Sequence, residues 1–300
     1  MEPFWPRYSP HFLACRRSLR ALHDPAVIGL SGGADSLALV AAAAAEDKDV
    51  RAVIVDHQLQ EGSDQVARCA AEQAGAWGVE ASVIAVNVGG DNLEAAAREA
   101  RYAALLSFGV DVWVAHTADD QAETLLLGAL RGNPSGMAAR GGIDNRILRP
   151  FLGIRRADTR GACAELGVTP WEDPMNVDEN YRRVAVRRRV IPQLDELIGG
   201  DCVPALAATA GRIAADRELI EELCDTSATS DCAELAKDPA PLRRRRIVAW
   251  LHDSGVRVDG AQLRSIERLI ADWHGQAGID VGGSRRVRRV AGRLVLDELR

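Results

Sequence analysis

Two short stretches of this sequence carry residues whose types and spacing suit chemistry. The first is Ser31-Gly32-Gly33-Ala34-Asp35-Ser36, set between the apolar runs Ala26–Leu30 and Leu37–Val40. Adjacent glycines let the backbone adopt conformations that a Cβ would forbid, so successive amide N–H groups can converge on one point. That point lies at the start of a predicted helix, where unpaired N–H groups and the helix dipole favour an anion. The loop therefore suits a phosphate or pyrophosphate. It differs from G-x-x-x-x-G-K-S/T, because no lysine follows the glycines, and from G-x-G-x-x-G, because the glycines are adjacent.

The second stretch runs from Ala115 to Thr124 and contains His116, Asp119, Asp120 and Glu123. Asp119 and Glu123 are four residues apart and share one face of a predicted helix, whose apolar face is Ala122, Leu125, Leu126 and Ala129. They sit in its first turns, where the dipole favours carboxylates. An anion-binding loop opposite an acidic one suits a nucleotide with magnesium, which takes a few carboxylates plus phosphate oxygens. Asp35 and Glu123 are the first candidates for magnesium ligands, with Asp119 and His116 open to the same role.

These stretches need a frame that brings them together. Strand-like runs at 26–30, 51–55, 82–86 and 111–115, with a weaker one near Ile147-Leu148, alternate with helical periodicity at 63–77 and 92–107. The second of these helices opens on Asp91-Asn92-Leu93-Glu94, a capping box. The alternation predicts an α/β fold, an open parallel five-stranded sheet with helices on both faces. Ligands in such sheets bind beyond the carboxyl ends of the strands. Both chemical stretches lie there, as do Asp56 and His57 at the end of the second strand, where an aspartate suits contact with a nucleoside and equally suits a plain strand end. From residue 201 the character changes. A long helix over 203–224, helices near 240–253 and 260–273, a Gly282-Gly283 turn and a β-like end at 293–296 follow. The predicted organisation is a nucleotide-binding catalytic domain over 1–202, a linker helix over 203–225 and a small mixed domain over 226–300.

Composition narrows the class. The chain is 47% hydrophobic and 27% charged, the profile of a globular protein with ample core. Its longest apolar run, Leu37–Ala45, is about half of what crosses a bilayer. The start, Met1-Glu2-Pro3-Phe4-Trp5-Pro6-Arg7, has no basic stretch leading into an apolar one, so a cytoplasmic location with no membrane partner is expected. Six cysteines form no C-x-x-C pair and are expected to be reduced core residues. The net charge of −6 hides a polarity: residues 241–300 hold 13 arginines against 7 acidic residues. Polyanions are therefore expected at the C-terminal end, with Arg243, Arg244, Arg285 and Arg286 as phosphate contacts. The chain has 35 arginines and 2 lysines, so a single arginine says little by itself.

The first loop resembles the PP-loop of ATP pyrophosphatases, which cleave ATP between the α and β phosphates. Further motifs extend the likeness over residues 26–192. They include Val55-Asp56-His57-Gln58-Leu59, Asn92-Leu93-Glu94 with Ala97-Arg98 and Arg101-Tyr102, and His116 through Leu130-Arg131-Gly132. Arg149-Pro150-Phe151-Leu152, Trp171-Glu172-Asp173-Pro174-Met175-Asn176, and Tyr181, Arg183, Arg187 and Pro192 complete the set. On these motifs the sequence resembles the bacterial tRNA(Ile)-lysidine synthetase family. It departs at Gln60 and Val184, where that family has arginine and asparagine. Beyond residue 200 the likeness is one of length, matching the members with one small C-terminal domain.

The resemblance implies an ATP-dependent ligase acting on tRNA(Ile) with a CAU anticodon. AMP is transferred to the oxygen on carbon 2 of the wobble cytidine, pyrophosphate is released into the PP-loop, and free L-lysine displaces AMP. ATP and Mg2+ are the implied cofactors, and a homodimer the implied assembly. Ser31, Gly32, Gly33, Ala34, Asp35 and Ser36, with Asp56 and His57, would hold ATP. Asp35, His116, Asp119, Glu123 and Arg187 would share metal binding, charge stabilisation and proton transfer, in a division the sequence leaves open. Arg98, Arg101 and Arg183 are candidates for ATP, lysine or RNA, and equally suit surface ion pairs. Rival readings fare worse: a 2-thiocytidine thiolase needs paired C-x-x-C cysteines, a GMP or NAD synthetase lacks the W-x-E-D-P-x-N segment, and a nucleotide sensor needs no acidic cluster opposite the phosphate loop.

Overall fold

The structure is a computed structural model and describes residues 5–57, 62–86 and 93–299. Gln58, Leu59, Gln60, Asn92 and the capping box expected at Asp91 and Glu94 lie outside the described residues and side chains. In chain order the first part comprises α1 (Pro10–Leu19), β1 (Ala26–Gly29), α2 (Ala34–Ala45), β2 (Val50–Asp56), α3 (Ser63–Ala76), β3 (Glu80–Ala85), α4 (Leu93–Leu106), β4 (Asp111–Trp113) and α5 (Ala118–Leu130). Then come β5 (Arg140–Gly141), β6 (Ile147–Leu148), α6 (Arg156–Glu165), α7 (Arg182–Ala185), a π-helical turn over Val186–Val190, α8 (Ile191–Ile198) and α9 (Val203–Leu223).

Among the described residues the main sheet has the order β3-β2-β1-β4-β6-β5. Its first five strands are parallel, as the alternating pattern predicts. The sixth, β5, pairs antiparallel with β6 through Arg140↔Leu148 and Gly141↔Ile147. Two residues are too few to show a periodicity, so this edge has no signal in the sequence. The valine- and isoleucine-rich strands suit a sheet buried on both faces. One face carries Phe12, Leu19, Leu37, Leu39, Trp113, Phe151 and Ala162 in a single cluster. The other carries Val27, Val53, Tyr102, Leu105, Val112 and Ile147.

Helix α2 is buried from Ser36 to Ala43. Its apolar residues run all the way round the helix, so it needs cover on every side, and α1 and α6 pack on it. That enclosure fixes the loop between β1 and α2. Strand β1 lies between β2 and β4, the point where the strand order reverses. The loops after β1 and β4 therefore leave the sheet side by side, the place where doubly wound sheets bind ligands.

The molecule divides into two compact units, one of residues 1–124 and 136–211, the other of 125–135 and 212–300. The division falls inside α9. The second unit holds α10 (Cys232–Leu235), α11 (Ala240–Asp253), α12 (Gly260–Ala271) and an antiparallel sheet β7 (Ile279–Val281), β8 (Arg285–Val290), β9 (Arg293–Glu298) in that order. Its core gathers Leu235, Ile247, Leu251, Ile266, Leu269, Val287 and Leu294. Among the described residues, no helix is long and apolar enough to cross a membrane. All six cysteines are free; Cys15, Cys163, Cys202 and Cys232 are buried, whereas Cys69 and Cys224 are exposed instead of joining the core.

Candidate active site

A cavity of about 1080 Å³ opens at the carboxyl edge of the main sheet, within the first unit. That is the upper end of the roughly 300–1,000 Å³ of small-molecule sites, room for a nucleotide and a second reactant. Its floor is the loop after β1. Gly32 has φ +82°, a conformation that favours glycine. The Ser31 backbone N–H donates to Ser36 Oγ at 3.1 Å, and Ser36 Oγ donates to the Gly33 carbonyl at 3.0 Å. These bonds close the loop on itself. Helix α2 starts at Gly33 with no side-chain cap, so its first N–H groups face the cavity edge ready for an anion.

Opposite the loop, Arg156 at the first position of α6 joins three carboxylates. Its Nη2 donates to Asp120 Oδ1 at 2.8 Å and its Nη1 to Glu123 Oε1 at 3.1 Å, while its Nε lies 3.9 Å from Asp35 Oδ2. Glu123 is fully buried and also takes Arg187, Nε to Oε1 at 2.7 Å and Nη2 to Oε2 at 3.2 Å. The π-helical turn at Val186–Val190 carries Arg187 to Glu123 and leaves both Arg187 and Arg188 on the cavity wall. Such turns commonly occur at functional sites. Asp119 points elsewhere. It accepts from Arg155 Nε at 3.1 Å and from the Arg156 backbone N–H at 2.8 Å, so it anchors the start of α6.

Burial shapes the titration of this cluster. It pushes the Asp35 carboxyl up, against a short bond from the Thr159 hydroxyl and the charge of Arg156. Burial acts on Asp120 too, but Arg156 and the Thr117 N–H and hydroxyl outweigh it and hold its carboxyl below the usual range. Desolvation lowers His116 to about 4, with Arg149, Arg98 and Arg101 adding to it and Asp120 opposing, so the imidazole is neutral at pH 7. His57 is lowered by burial and then by Arg101. Nδ1 of His57 and of His116 and the Tyr102 hydroxyl are buried with no partner among the described residues, and all three residues line the cavity. Buried polar atoms without partners are expensive unless something else satisfies them, which marks this as a place for a ligand.

Residues 14–194 match the model of the PP-loop domain, and residues 231–295 that of the TilS substrate binding domain. The tRNA(Ile)-lysidine synthase of Corynebacterium diphtheriae is 52% identical, covering 98% of this chain and 99% of its own. That of Corynebacterium glutamicum is 47% identical, covering 98% and 97%. The chain belongs to the tRNA(Ile)-lysidine synthase family. A solved fold neighbour, the U34-tRNA thiolase NcsA from Methanococcus maripaludis, has a TM-score of 0.55 at 14% identity, over 74% of this chain and 86% of that one. It supports the sheet architecture alone.

Within this member of the tRNA(Ile)-lysidine synthase family, many of the residues expected from sequence meet in the cavity. Ser31, Gly33, Ala34, Asp35 and Ser36 line it with Asp56 and His57, and from the other side come His116, Arg101 and Arg187. Asp119 and Glu123 do not line it. Asp120 does, one residue away from the expected register. Arg98 is exposed, with its guanidinium 5.0 Å from the Tyr102 ring, and Arg183 donates to Thr124 Oγ1 at 3.2 Å. In the second unit Arg243 donates to the Leu235 and Asp238 carbonyls, Arg244 pairs with Glu267, Arg285 donates to the Ser254 and Gly255 carbonyls, and Arg286 pairs with Asp280. Arg264 and Arg268, exposed on α12, make no ion pair among the described residues.

Sequence reasoning passed over Arg155, Arg156 and Thr159. In a chain with 35 arginines, no local pattern set Arg156 apart. The signal available was its place at the start of a helix directly after the Arg149-Pro150-Phe151-Leu152 motif. Asp35 and Glu123, the expected magnesium ligands, differ in what they can offer a metal. Asp35 fits: it lines the cavity and offers an oxygen beyond the one bonded to Thr159. Glu123 does not, because both its oxygens already accept from guanidinium groups and no solvent reaches it. The described residues hold no group of three or more His, Cys, Asp or Glu suited to a metal. One carboxylate completed by phosphate oxygens and water is a common magnesium arrangement.

Proposed function

We propose that this chain is an ATP-dependent ligase that joins the ε-amine of free L-lysine to carbon 2 of the wobble cytidine in tRNA(Ile) with a CAU anticodon. Carbon 2 of cytosine is amide-like, and its oxygen is a poor leaving group until it carries AMP. The first step therefore forms a bond from that oxygen to the α-phosphorus of ATP and breaks the α–β phosphoanhydride. The α2 N-terminus and the Ser31–Ser36 amides face the departing pyrophosphate, whose growing charge they stabilise. Magnesium held at Asp35 would supply further positive charge to the phosphate oxygens. Arg187, fixed by Glu123, presents its remaining donors to the same space, and Arg156 keeps Asp35, Asp120 and Glu123 from repelling one another.

In the second step the lysine nitrogen attacks carbon 2 and AMP leaves with the oxygen. The amine has a reference pKa of about 10.4 and must lose a proton first. Asp120, held ionised and lining the cavity, attracts the incoming ammonium, and the amine's proton passes to solvent water in the open cavity before the attack. His116 stays neutral and acts as a hydrogen-bond partner, since a group titrating near 4 is a weak base at pH 7. Substrates of this kind fit a cytoplasmic enzyme, and a homodimer is part of the same reading, checked by sizing the purified protein.

The observation that carries this reading is the meeting of an uncapped phosphate loop with the Arg156 carboxylate cluster in one cavity, in a chain of this family. The test is incubation with ATP, magnesium, labelled lysine and tRNA(Ile) bearing CAU. Label in the RNA is expected. AMP release with no lysine in RNA would contradict the lysidine reading, and no AMP at all would contradict the ligase class.

A further inference from the structure

Residues 171–189 carry a pattern that AMP transfer does not require. Trp171, Met175, Val177 and Tyr181 are exposed by 36%, 41%, 60% and 40%. Trp171, Met175 and Val177 line the cavity mouth. The row starts at the phosphate loop, because the Trp171 N–H donates to the Gly32 carbonyl at 3.0 Å. It runs into Arg182, Arg183, Arg188 and Arg189, all exposed. Arg188 pairs loosely with Glu179 at 3.5 Å, and Arg182 and Arg189 make no ion pair among the described residues. The other acids of the segment are engaged: Glu172 with Arg160, Asp173 with the Met175 N–H, Asp178 with Asn180.

Exposed aromatic and apolar side chains followed by unpaired guanidinium groups fit a single-stranded nucleic acid. Bases stack on aromatic faces and phosphates settle on arginines. An apolar protein partner would cover the four side chains and leave the arginines without anions. Position decides which base meets Trp171. The base that receives AMP must pass the cavity mouth to reach the α-phosphate, and Trp171 lines that mouth beside the loop that takes the pyrophosphate. In the proposed function the adenosine of ATP would lie toward Asp56 and His57, which line the cavity at the end of β2.

We propose that residues 171–189 form the docking platform for a single-stranded RNA loop, with Trp171 stacking on the base that enters the cavity and Arg182, Arg188 and Arg189 holding the flanking phosphates. This rests on the proposed function and adds the residues that receive the RNA.

The test is the affinity of the full chain for a fluorescent RNA stem-loop carrying the CAU anticodon, across several salt concentrations. Trp171→Ala should weaken binding by about tenfold and Trp171→Phe should restore most of it, with affinity for a non-hydrolysable ATP analogue changed less than about twofold. Arg182→Ala/Arg189→Ala, remote from the core, should lower the salt slope by about 0.7 per lost contact whether or not the Trp171→Ala protein folds. An unchanged salt slope in that double variant, or stem-loop affinity unchanged in a folded Trp171→Ala, would overturn the platform. So would loss of the ATP analogue alone, which would place Trp171 on adenine. Wild-type protein that makes lysidine while these variants keep full RNA affinity refutes the platform and leaves the function standing. Wild-type protein that makes no lysidine refutes the function itself.

Discussion

Arg156 in the first unit and Arg246 in the second each gather three carboxylates. Arg246 bonds Glu234, lies 3.0 Å from Asp238 and 3.7 Å from Asp225, and donates to the Ser227 carbonyl at 3.1 Å. Its side chain is the less exposed of the two, 6% against 17%. Burial of the arginine therefore does not tell the two clusters apart. The partners do. Those of Arg246 are exposed by 69%, 48% and 15% and would return to water if it were lost. Those of Arg156 are exposed by 29%, 13% and 0%, and two of them, Asp35 and Asp120, face a cavity with unpartnered buried nitrogens around it. One guanidinium ties a connecting segment to α11. The other neutralises three carboxylates at the edge of the cavity in which the proposed function places a triphosphate.

The comparison is broken most sharply at Arg156. Arg156→Met leaves Asp120 and Glu123 short of a partner, and breaking a buried pair of this kind costs about 3–5 kcal/mol. We expect lysine incorporation to fall by at least about 1,000-fold, as read by labelled lysine in RNA, with a lowered Tm. Asp35→Asn separates function from stability. Burial raises the Asp35 carboxyl, so its ionised form opposes folding at neutral pH. The variant should keep or raise its Tm and still lose about 100-fold to 1,000-fold in rate. Equal losses of Tm and rate would make Asp35 a structural residue.

His116 offers a pH test. Its folded pKa, lowered to about 4, lies below the unfolded value of about 6.5. The stability from its neutral form is complete above pH 6.5 or so and is lost as pH falls toward about 4, a change of about 3 kcal/mol at most. Denaturant unfolding at several pH values should show that slope in the wild type and a shallower one in His116→Gln. Arg246→Met gives the smallest effect. It should lower stability by about 1–2 kcal/mol with lysine incorporation per folded molecule unchanged.

Much of this was legible in the sequence, and the gaps have physical reasons. Strands β1 to β4 are dense in β-branched residues and separated by helical periodicity, so the parallel sheet could be read directly. The phosphate loop was legible because adjacent glycines before a helix have few other uses. The acidic side was read one residue out of register. Four-residue spacing pairs Asp119 with Glu123, but α6 draws Asp119 to its own start and turns Asp120 toward the cavity. That choice is made by a contact 37 residues away in sequence. Arg156 was hidden for the same reason, since its three partners come from α2 and α5. The basic runs of the second unit read as RNA contacts, yet Arg244 and Arg286 pair with Glu267 and Asp280, charges that composition cannot place.

The most direct test uses ATP labelled at the α-phosphorus, with tRNA(Ile) bearing CAU and no lysine. The wild type and Arg246→Met should both move label onto the RNA, and added lysine should release it as AMP; Arg156→Met should leave the RNA unlabelled. RNA that stays unlabelled with the wild type, or becomes labelled at the wild-type rate with Arg156→Met, would contradict the account.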